Sequence, residues 1–315
     1  MAVHNRKIRR NGSIELAVKR KLFQITAALV TNANFAGFAK GSIYSGKLKH
    51  ICVPGLNCYS CPGALGACPL GSLQTMLADS GYKMSFYVIG LLAAFGVVFG
   101  RAVCGWLCPF GFLQELLHKP VEFFSKRNQA LNRALGKARI PYFFRYAKYL
   151  LLLLAVILFP LFLTDKFGFG APYFCELICP AGTITAALPL FLADPRLRAL
   201  IGALFYLKVT VAAVIVSASA FSNRFFCKYL CPLGAIYGFF NRFSFIRLEF
   251  SEDKCNQCGI CSAVCGMGIN PREAGRRPEC INCGQCAKAC PRNALRMETP
   301  LSALHILANN IIAKM

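Results

Sequence analysis

Residues 255–265 read CNQCGICSAVC, and residues 280–291 read CINCGQCAKACP. Each stretch holds three closely spaced cysteines followed, after three further residues, by a fourth. The chain has 18 cysteines in 315 residues, which could indicate disulfides, but thiolates at this spacing are soft ligands that metal centres select. The two stretches therefore predict a pair of metal centres in the C-terminal part of the chain.

The spacing Cys-x2-Cys-x2-Cys-x3-Cys, written twice, is the pattern of bacterial two-cluster ferredoxins, in which the fourth cysteine of each run ligates the other cluster. We therefore predict two [4Fe-4S] clusters with crossed ligand sets. The first set is Cys255, Cys258, Cys261 and Cys290, and the second set is Cys280, Cys283, Cys286 and Cys265. Gly266 stands where proline is usual after the fourth cysteine, so we expect ligation to be retained and the packing or potential of that cluster to differ.

A second motif, Cys-Pro-x-Gly, occurs four times before this tail, and each copy adjoins an apolar segment. The copies begin at Cys68, Cys108, Cys179 and Cys231, and three of them have a partner four residues earlier, at Cys104, Cys175 and Cys227. A cubane needs four thiolates. The copies at Cys108 and Cys231, each with its partner four residues earlier, together predict an inner cluster held by Cys104, Cys108, Cys227 and Cys231. The proline is expected at the first helical position, so that each helix N-terminus faces a negatively charged cluster.

An outer cluster has six candidate ligands, which are Cys52, Cys58, Cys61, Cys68, Cys175 and Cys179. Three of them, Cys68, Cys175 and Cys179, match the repeat. The fourth ligand is Cys58 or Cys61, and the sequence does not decide between them. Burial as small apolar residues or a four-thiolate zinc site would also employ cysteine, but repetition of the spacing beside apolar segments favours iron–sulfur clusters.

Four windows nearly free of charge predict four membrane spans. They run from residue 22 to 39, 84 to 100, 149 to 164, and 199 to 223, the last interrupted only by Lys208, in a chain that is 56% hydrophobic. Lys and Arg are concentrated before the first window, between the second and third, and after the fourth. This positive-inside bias accounts for the net charge of +23 better than nucleic-acid binding does, and it predicts both termini in the cytoplasm.

The expected fold class is mainly α, with three parts. Residues 1–247 form a polytopic helical membrane domain with about four spans and short re-entrant or interfacial helices, residues 248–300 form an α+β ferredoxin domain with two clusters, and residues 301–315 form an amphipathic helix. With this topology Cys52 to Cys68 and the pair at 175 and 179 face outward, and the inner set faces the cytoplasm. The protein is thus expected in the cytoplasmic (inner) membrane.

The segments GRAVCGWLCPFG (100–111), FCKYLCPLGAIYGFFNR (226–242) and NCYSCPGALGACPLG (57–71), together with the cysteine-rich tail, resemble the NapH-type membrane ferredoxins, relatives of NosR and MauN. The resemblance implies a membrane-bound polyferredoxin that passes electrons between the quinone pool or cytoplasmic donors and extracytoplasmic redox partners. The outer pair, Cys175 and Cys179, goes beyond the two Cys-x3-Cys-Pro motifs of the nitrate-reduction member, which suggests conduction across the whole membrane.

The preferred hypothesis is therefore an electron carrier or oxidoreductase subunit, rather than a stand-alone enzyme, that transfers single electrons through two tail clusters and two membrane clusters. One alternative is a quinol dehydrogenase subunit, with a quinone near Glu115, His118 or Lys208. The other is a maturation or regulatory factor that supplies electrons to another redox enzyme. For Lys208, a counter-charge to a cluster and a snorkelling side chain are both open. For Glu115 and His118, an interfacial polar face is favoured over a proton relay.

Overall fold

The computed structural model describes residues 2–78, 86–127, 141–166, 170–198, 202–273 and 277–298, and for residues 2–14, 126 and 197–198 it describes the backbone alone. The amphipathic helix expected at 301–315 lies outside the described residues. Most of the rest is helical, with one two-stranded antiparallel sheet.

The elements are, in chain order, α1 Ala2–Thr31, α2 Phe35–Lys40, α3 Pro69–Ala78, α4 Phe86–Phe99, α5 Ala102–Trp106, α6 Pro109–Arg127, α7 Tyr142–Phe162, α8 Pro180–Ala193, α9 Pro195–Arg198, α10 Ala203–Phe221, α11 Phe225–Tyr229, α12 Pro232–Phe240, β1 Arg247–Phe250, α13 Ile260–Ala263, α14 Gln285–Ala289 and β2 Leu295–Glu298. Short 3-10 turns cover Lys47–His50 and Glu252–Lys254. In the described residues, π-helical turns cover Phe174–Ile178, Leu152–Leu158 within α7, and Thr183–Ala187 within α8.

All four Cys-Pro-x-Gly motifs begin a helix at the proline, as the sequence predicts. Pro69, Pro109, Pro180 and Pro232 are the first residues of α3, α6, α8 and α12. Proline is tolerated there because its ring holds φ near the helical value and the N–H it lacks would have no partner inside the helix. The cysteine before each proline thus occupies the N-cap position, next to the unpaired N–H groups of the first turn.

The chain divides into two compact units. The first unit contains Met1–Phe23, Ala93–Trp106 and Ile236–Met315. Its tail is closed by β1 and β2, which pair antiparallel with Arg247 opposite Glu298 and Phe250 opposite Leu295. Leu248 and Leu295 are buried beneath this sheet. The tail therefore packs with two earlier stretches of the chain, and whether residues 248–300 fold independently stays a prediction.

The second unit contains Gln24–Leu92 and Leu107–Ala235. Its most extensive helix pairing is between α6 and α10, and α3 packs against α7. Two of its helices, α7 and α10, are long and apolar enough to cross a membrane. Only 28% and 17% of their apolar windows are buried within the chain. The core helix of a soluble protein would be mostly buried, so these two surfaces favour an apolar surrounding.

The other two predicted spans differ from the expectation. The window at 22–39 is not one helix, because the chain leaves α1 at Thr31 and starts α2 at Phe35. Asn32 bonds back to the carbonyl oxygen of Ala28, and Asn34 donates to that of Pro62, so polar side chains interrupt the helix here. Within the described residues, α4 has 14 residues, fewer than the roughly 20 that span a bilayer. The four-span topology therefore stays a prediction.

Candidate metal centres

The first predicted tail set lies around one cavity in the first unit. Cys255, Cys258, Cys261 and Cys290 all line it, together with Phe250 and Leu295 of the two strands. The N–H of Gln257 donates to the Cys255 Sγ (3.4 Å), and that of Ala294 donates to the Cys290 Sγ (3.3 Å). The structure therefore brings Cys290, from the second cysteine run, into the group formed by the first run, as the crossed spacing predicts.

The second tail set also comes together. Burial raises the pKa of the Cys280 thiol to about 12, and the charges of Cys283 and Cys265 add to that effect, whereas the N–H of Asn282 and the charge of Arg101 oppose it. Burial likewise raises the pKa of Cys286, with Cys283, Cys280 and Cys265 contributing. Because Cys283 and Cys265 act on the pKa of both Cys280 and Cys286, the four thiols are close neighbours. Metal binding requires thiolates, so a bound metal centre would offset the negative charge that these buried thiols acquire when they deprotonate.

The segment before Cys108 packs against the second tail set within the first unit. The fully buried side chain of Arg101 donates to the carbonyl oxygen of Pro278 (2.8 Å) and pairs with Glu279 (3.1 Å). The indole N–H of Trp106 donates to the carbonyl oxygen of Asn282 (3.1 Å). These bonds hold α5, which carries Cys104, beside the loop that carries Cys280.

Gly105 marks the closest approach between α5 and this loop. A Cβ added there would lie 2.5 Å from the carbonyl oxygen of Ile281. From that contact and standard chain dimensions, the Cα atoms of Cys104 and Cys280 lie within about 14 Å of each other. Only glycine permits this approach of two backbones. The segments that carry Cys104 of the predicted inner set and Cys280 of the second tail set are therefore in contact.

Asn241 completes a buried polar network under the same loop. Its side-chain amide donates to the carbonyl oxygens of Arg277 (2.9 Å) and Cys280 (3.1 Å), and its Oδ1 accepts from the N–H of Arg101 and from the Asn282 amide (3.0 Å). Buried polar groups that are fully bonded hold a single geometry. The loop between Cys280 and Cys283 is thus held by residues from two other stretches of the same unit.

The outer candidates lie around a cavity of about 880 Å³ in the second unit, lined by Cys52, Cys58, Cys68, Cys175 and Cys179. Burial raises the pKa of Cys175, and the charges of Cys179, Cys68 and Cys58 raise it further. Burial raises that of Cys179 to about 12, and Cys68 and Cys58 again contribute. The four mutual neighbours are therefore Cys58, Cys68, Cys175 and Cys179.

This grouping bears on the choice that the sequence leaves open. Cys61 does not line the cavity. It packs instead with Ala64 and Ala186, and Cys58 packs against this small cluster. Cys52 lines the cavity, but its Sγ lies 3.4 Å from the hydroxyl of Ser72, and it is not among the charges that act on Cys175. The geometry favours Cys58 over Cys61 as the fourth outer ligand.

The fit of these thiols to a cluster can be tested at two glycines. A Cβ at Gly182 would lie 3.4 Å from the Cys58 Sγ, and one at Gly71 would lie 3.9 Å from the Cys175 Sγ. Both Gly N–H groups bond the N-cap cysteine of their own motif, Cys179 and Cys68. Each glycine thus lies at a helix N-terminus facing a thiol of another motif, and a side chain there would enter the space between the sulfurs. This arrangement suits a bulky anionic centre.

Three of the four predicted inner ligands lie in the second unit. The N–H groups of Gly111 and Gly234 donate to Cys108 and Cys231 at 3.4 Å, as at the outer motifs. Burial lowers the pKa of Arg224, and Glu115, Cys227 and Cys108 raise it, for a net increase. Arg224 is therefore close to the thiols of both motifs. Cys104 belongs to the first unit, and its place in this set stays a prediction.

The 53–57 loop brings one cysteine of the predicted inner set close to one of the outer group. A Cβ at Gly55 would lie 3.1 Å from the Cα of Cys108, while the N–H of Asn57, two residues later, bonds the Cys68 Sγ. Chain dimensions then limit the distance between the Cys108 Cα and the Cys68 Sγ to about 15 Å. Re-entrant helices that carry the two groups below the surfaces of a hydrocarbon layer of about 30 Å would be compatible with this short distance, and the placement of the groups on opposite sides stays a prediction.

The candidate relay residues have structural partners. The Glu115 Oε1 accepts from Arg224 Nε (2.8 Å) and lies 2.7 Å from its Nη2 in a buried ion pair. His118 Nδ1 lies 2.8 Å from the carbonyl oxygen of Ala220, so that nitrogen carries the proton. The His118 contact joins α6 to the last turn of α10, and the Glu115 contact joins it to the residues that follow α10. Burial raises the pKa of the Cys58 thiol, and Lys208 is close enough for its charge to lower that pKa. This proximity supports the counter-charge interpretation.

Two glutamines that the sequence interpretation missed contact candidate ligands. Gln74 Nε2 donates to the Cys175 Sγ, and Gln114 Nε2 donates to the Cys227 Sγ, both at 3.1 Å. Each glutamine stands six residues after the cysteine of a Cys-Pro-x-Gly motif, Cys68 or Cys108. The repeated position is visible in the sequence. Its role becomes clear only from the contact that each glutamine makes with a cysteine distant in the chain.

Both a zinc ion and an iron–sulfur cluster can be bound by four thiolates. Tetrahedral zinc with bonds of about 2.3 Å needs its thiolates about 3.8 Å apart, whereas a cubane binds one cysteine at each of four irons and so holds its ligands farther apart. Within the described ranges, no three His, Cys, Asp or Glu side chains are arranged to hold one metal ion.

Comparison with known families agrees with this chemistry. A family described as a 4Fe-4S binding domain matches residues 80–132, 149–193 and 204–249, and a second 4Fe-4S binding domain matches residues 278–296. The second match contains Cys280, Cys283, Cys286 and Cys290. The [4Fe-4S] assignment therefore rests on family membership and on the ligand chemistry together.

The curated relatives include two uncharacterized proteins of Methanocaldococcus jannaschii. One is 27% identical over 72% of this chain and 84% of its own length, and the other is 30% identical over 66% of this chain and 68% of its own length. The putative electron transport protein YccM of Escherichia coli is 28% identical over 66% of this chain and 52% of its own length. Relatives named NapH, NirI, NosR and MauN also match. No solved structure matches the chain.

Proposed function

Because the chain belongs to the NapH-like family of ferredoxin-type proteins with 4Fe-4S binding domains, we propose that it is a membrane-bound electron-transfer protein with four [4Fe-4S] clusters. It carries electrons between a cytoplasmic or quinone donor and an extracytoplasmic redox partner. The clusters, when bound, exchange single electrons; the chain holds them at short separations and sets their surroundings.

The observation that carries this proposal is the backbone contact between Gly105 and Ile281. It brings Cys104 within about 14 Å of Cys280, although the two are far apart in sequence. The contact supports a path from the tail into the membrane-associated region. The second short approach, between Gly55 and Cys108, supports its continuation from the inner to the outer cysteine group. Electron tunnelling weakens steeply with distance, so a carrier needs such contacts.

The chain's own residues prepare each site for negative charge. Backbone N–H groups of Gly71, Gly111, Gly182 and Gly234 bond the motif cysteines. Buried cations lie nearby: Arg101 beside Cys280, and Arg224 beside Cys227 and Cys108. Donors and cations of this kind favour the anionic clusters and lower the cost of adding an electron.

The membrane placement belongs to the same proposal. The apolar helices α7 and α10 support insertion, and the alternation of basic segments supports cytoplasmic termini. In that topology the tail clusters accept electrons on the cytoplasmic side. Four spans and both termini inside are the arrangement to test, for example by accessibility of single tags at the N-terminus and after residue 298.

The test of the proposal is metal analysis followed by transport. Anaerobic purification with iron and sulfide assays and EPR of the reduced protein should give about sixteen irons per chain. A count near eight, with only the tail signals, would overturn the four-cluster proposal. In vesicles, an impermeant reductant on the cytoplasmic face should reduce an impermeant acceptor trapped inside. The C104S variant, which keeps the tail ligands, should lose this transfer.

A second candidate is quinol oxidation at the outer cavity. Its volume of about 880 Å³ lies near the upper end of the range of small-molecule sites, roughly 300–1,000 Å³, so a quinol would occupy the part that the outer cluster leaves free. The lining includes Tyr59, Tyr87 and His50 beside the thiols. Anaerobic addition of a short-chain quinol would reduce the clusters if this candidate holds. Absence of reduction, with dithionite reducing the same sample, would exclude it.

A further inference from the structure

Gln74 and Gln114 make the same set of contacts in two places within the second unit. Each side chain is almost completely buried, at 0% and 1% exposure. Gln74 Nε2 lies 3.1 Å from the Cys175 Sγ, and its Oε1 accepts from the N–H of Phe174 (3.1 Å). The pair of bonds thus joins α3 to the residue before Cys175 and to Cys175 itself.

The second copy has the same geometry. Gln114 Nε2 lies 3.1 Å from the Cys227 Sγ, and its Oε1 accepts from the N–H of Phe226 (3.0 Å). Because a backbone N–H can only donate, the atom facing it must be the amide oxygen, and the nitrogen must therefore face the sulfur. The direction of both N–H···S bonds follows from the chain's own partners.

The repetition argues against a chance packing contact. In both cases the glutamine follows the N-cap cysteine of one motif, Cys68 or Cys108, by six residues and reaches the first cysteine of a different motif. The corresponding positions after Cys179 and Cys231 are Thr185 and Tyr237. Thr185 bonds within its own helix, to the carbonyl oxygen of Ala181 (2.8 Å). The chain thus places one such amide at each of its two membrane-associated cysteine groups.

We propose that Gln74 and Gln114 are positioning residues that raise the reduction potentials of the outer and inner clusters by donating an N–H to one ligand sulfur each. This inference rests on the proposed function. An N–H···S bond stabilises the form with more charge on sulfur, which is the reduced cluster. In the buried setting of both amides, no bulk water is available to replace the lost donor.

The experiment compares Q74M and Q114M with the wild-type protein, using the full chain in detergent. Methionine has a similar length and no N–H donor. Iron content and an anaerobic EPR redox titration are measured for each. The signals of the outer and inner clusters are assigned with C175S and C231S, each of which should lose one of them. T185V, at the matched position without a sulfur contact, is the control.

The expected result is a selective shift. Q74M should move the outer cluster, and Q114M the inner cluster, to a more negative potential, with about sixteen irons retained. At a fixed potential the ratio of reduced to oxidised cluster should fall about tenfold, which corresponds to about 59 mV for one electron. The other cluster in each variant, and both clusters in T185V, should titrate as in the wild type.

Retained iron with unchanged potentials in both variants would overturn the inference. If a methionine variant loses four irons, Q74L or Q114L is titrated in its place, and loss of the same cluster again would show a purely structural role, which also overturns it. These failures differ from failure of the proposed function, because that would appear in the wild-type protein as the absence of the outer or inner signal before any glutamine is changed.

Discussion

Arg101 and Glu279 form a buried ion pair in which Arg101 Nη1 lies 3.1 Å from Glu279 Oε2, with both side chains at most 3% exposed. The residue after Glu279 is Cys280, and Arg101 stands three residues before Cys104. The same guanidinium also donates to the carbonyl oxygen of Pro278. Its contacts therefore hold together two chain segments that each carry a predicted cluster ligand, and its charge lies near a thiol.

Replacing Arg101 should be far more damaging than replacing a surface arginine. R101M would leave the Glu279 carboxylate buried without this cation, for which the expected loss of stability is about 3–5 kcal/mol. We expect a lower melting temperature and loss of irons from the Cys280 set. R247Q is the matched control, because Arg247 pairs with Glu298 at an exposed site, where a pair is worth less than about 1 kcal/mol. Equal effects of the two variants would contradict this prediction.

Gly105 should tolerate no side chain. The G105A variant would place Cβ 2.5 Å from the Ile281 carbonyl oxygen, and the overpacking is expected to cost about 1–3 kcal/mol. The melting temperature and the EPR signal of the Cys280 set should both change. G90A is the control, since nothing lies within 4 Å of a Cβ at Gly90 and alanine in a helix gains up to about 1 kcal/mol over glycine. An unchanged G105A protein would show that the two backbones are farther apart.

Serine variants of the outer cysteines should fall into two classes. C58S, C68S, C175S and C179S should each lose about four irons per chain, because these thiols surround one another. C61S and C52S should retain the wild-type iron content, because Cys61 packs with Ala64 and Ala186 and Cys52 contacts Ser72. Iron and sulfide analysis of the six purified proteins distinguishes the classes. Iron loss in C61S with retention in C58S would reverse the assignment of the fourth ligand.

Local sequence patterns predicted the parts of the structure that depend on nearby residues. Each proline of the four Cys-Pro-x-Gly motifs begins a helix because the preference for the first helical position acts within a single turn. The crossed ligation of the tail was predicted from spacing within a short segment and stays a prediction, which the position of Cys290 in the cavity of the first cysteine run supports. The predicted short apolar helices after Cys68, Cys179 and Cys231 are present for the same reason.

The contacts that the sequence did not predict join residues far apart in the chain. Arg101 and Pro278 are 177 residues apart, and Gln114 and Cys227 are 113 apart. Hydropathy and spacing report on one segment at a time, so neither shows which segments pack together. The sequence left the choice between Cys58 and Cys61 open for a related reason: both occupy one short loop, and only in the folded loop does Cys58 line the cavity with Cys175.

The crossed ligation of the tail can be tested with two single variants. C290S should remove the cluster of the Cys255 set, because Cys290 lines the cavity with those three cysteines. C265S should instead remove the cluster of the Cys280 set, because its thiol charge acts on Cys280 and Cys286. Each protein should lose about four irons, and the EPR signals that remain should differ. Loss of the same signal in both variants would contradict the crossed arrangement.

The 53–57 loop should govern electron exchange between the inner and outer groups. In G55V the new side chain would press on Cys108 and Pro109, since even a Cβ would lie 3.1 Å from the Cys108 Cα and the Pro109 Cδ. Because Asn57 of the same loop bonds Cys68, the displacement should separate the two groups without removing a ligand. We expect the iron content to stay at the wild-type value and intercluster electron equilibration, followed by rapid-freeze EPR after a flash of reductant, to slow several-fold. G90V, at a position with open space around it, should equilibrate at the wild-type rate. Wild-type equilibration in G55V with intact clusters would mean that electrons cross by a route that does not depend on this loop.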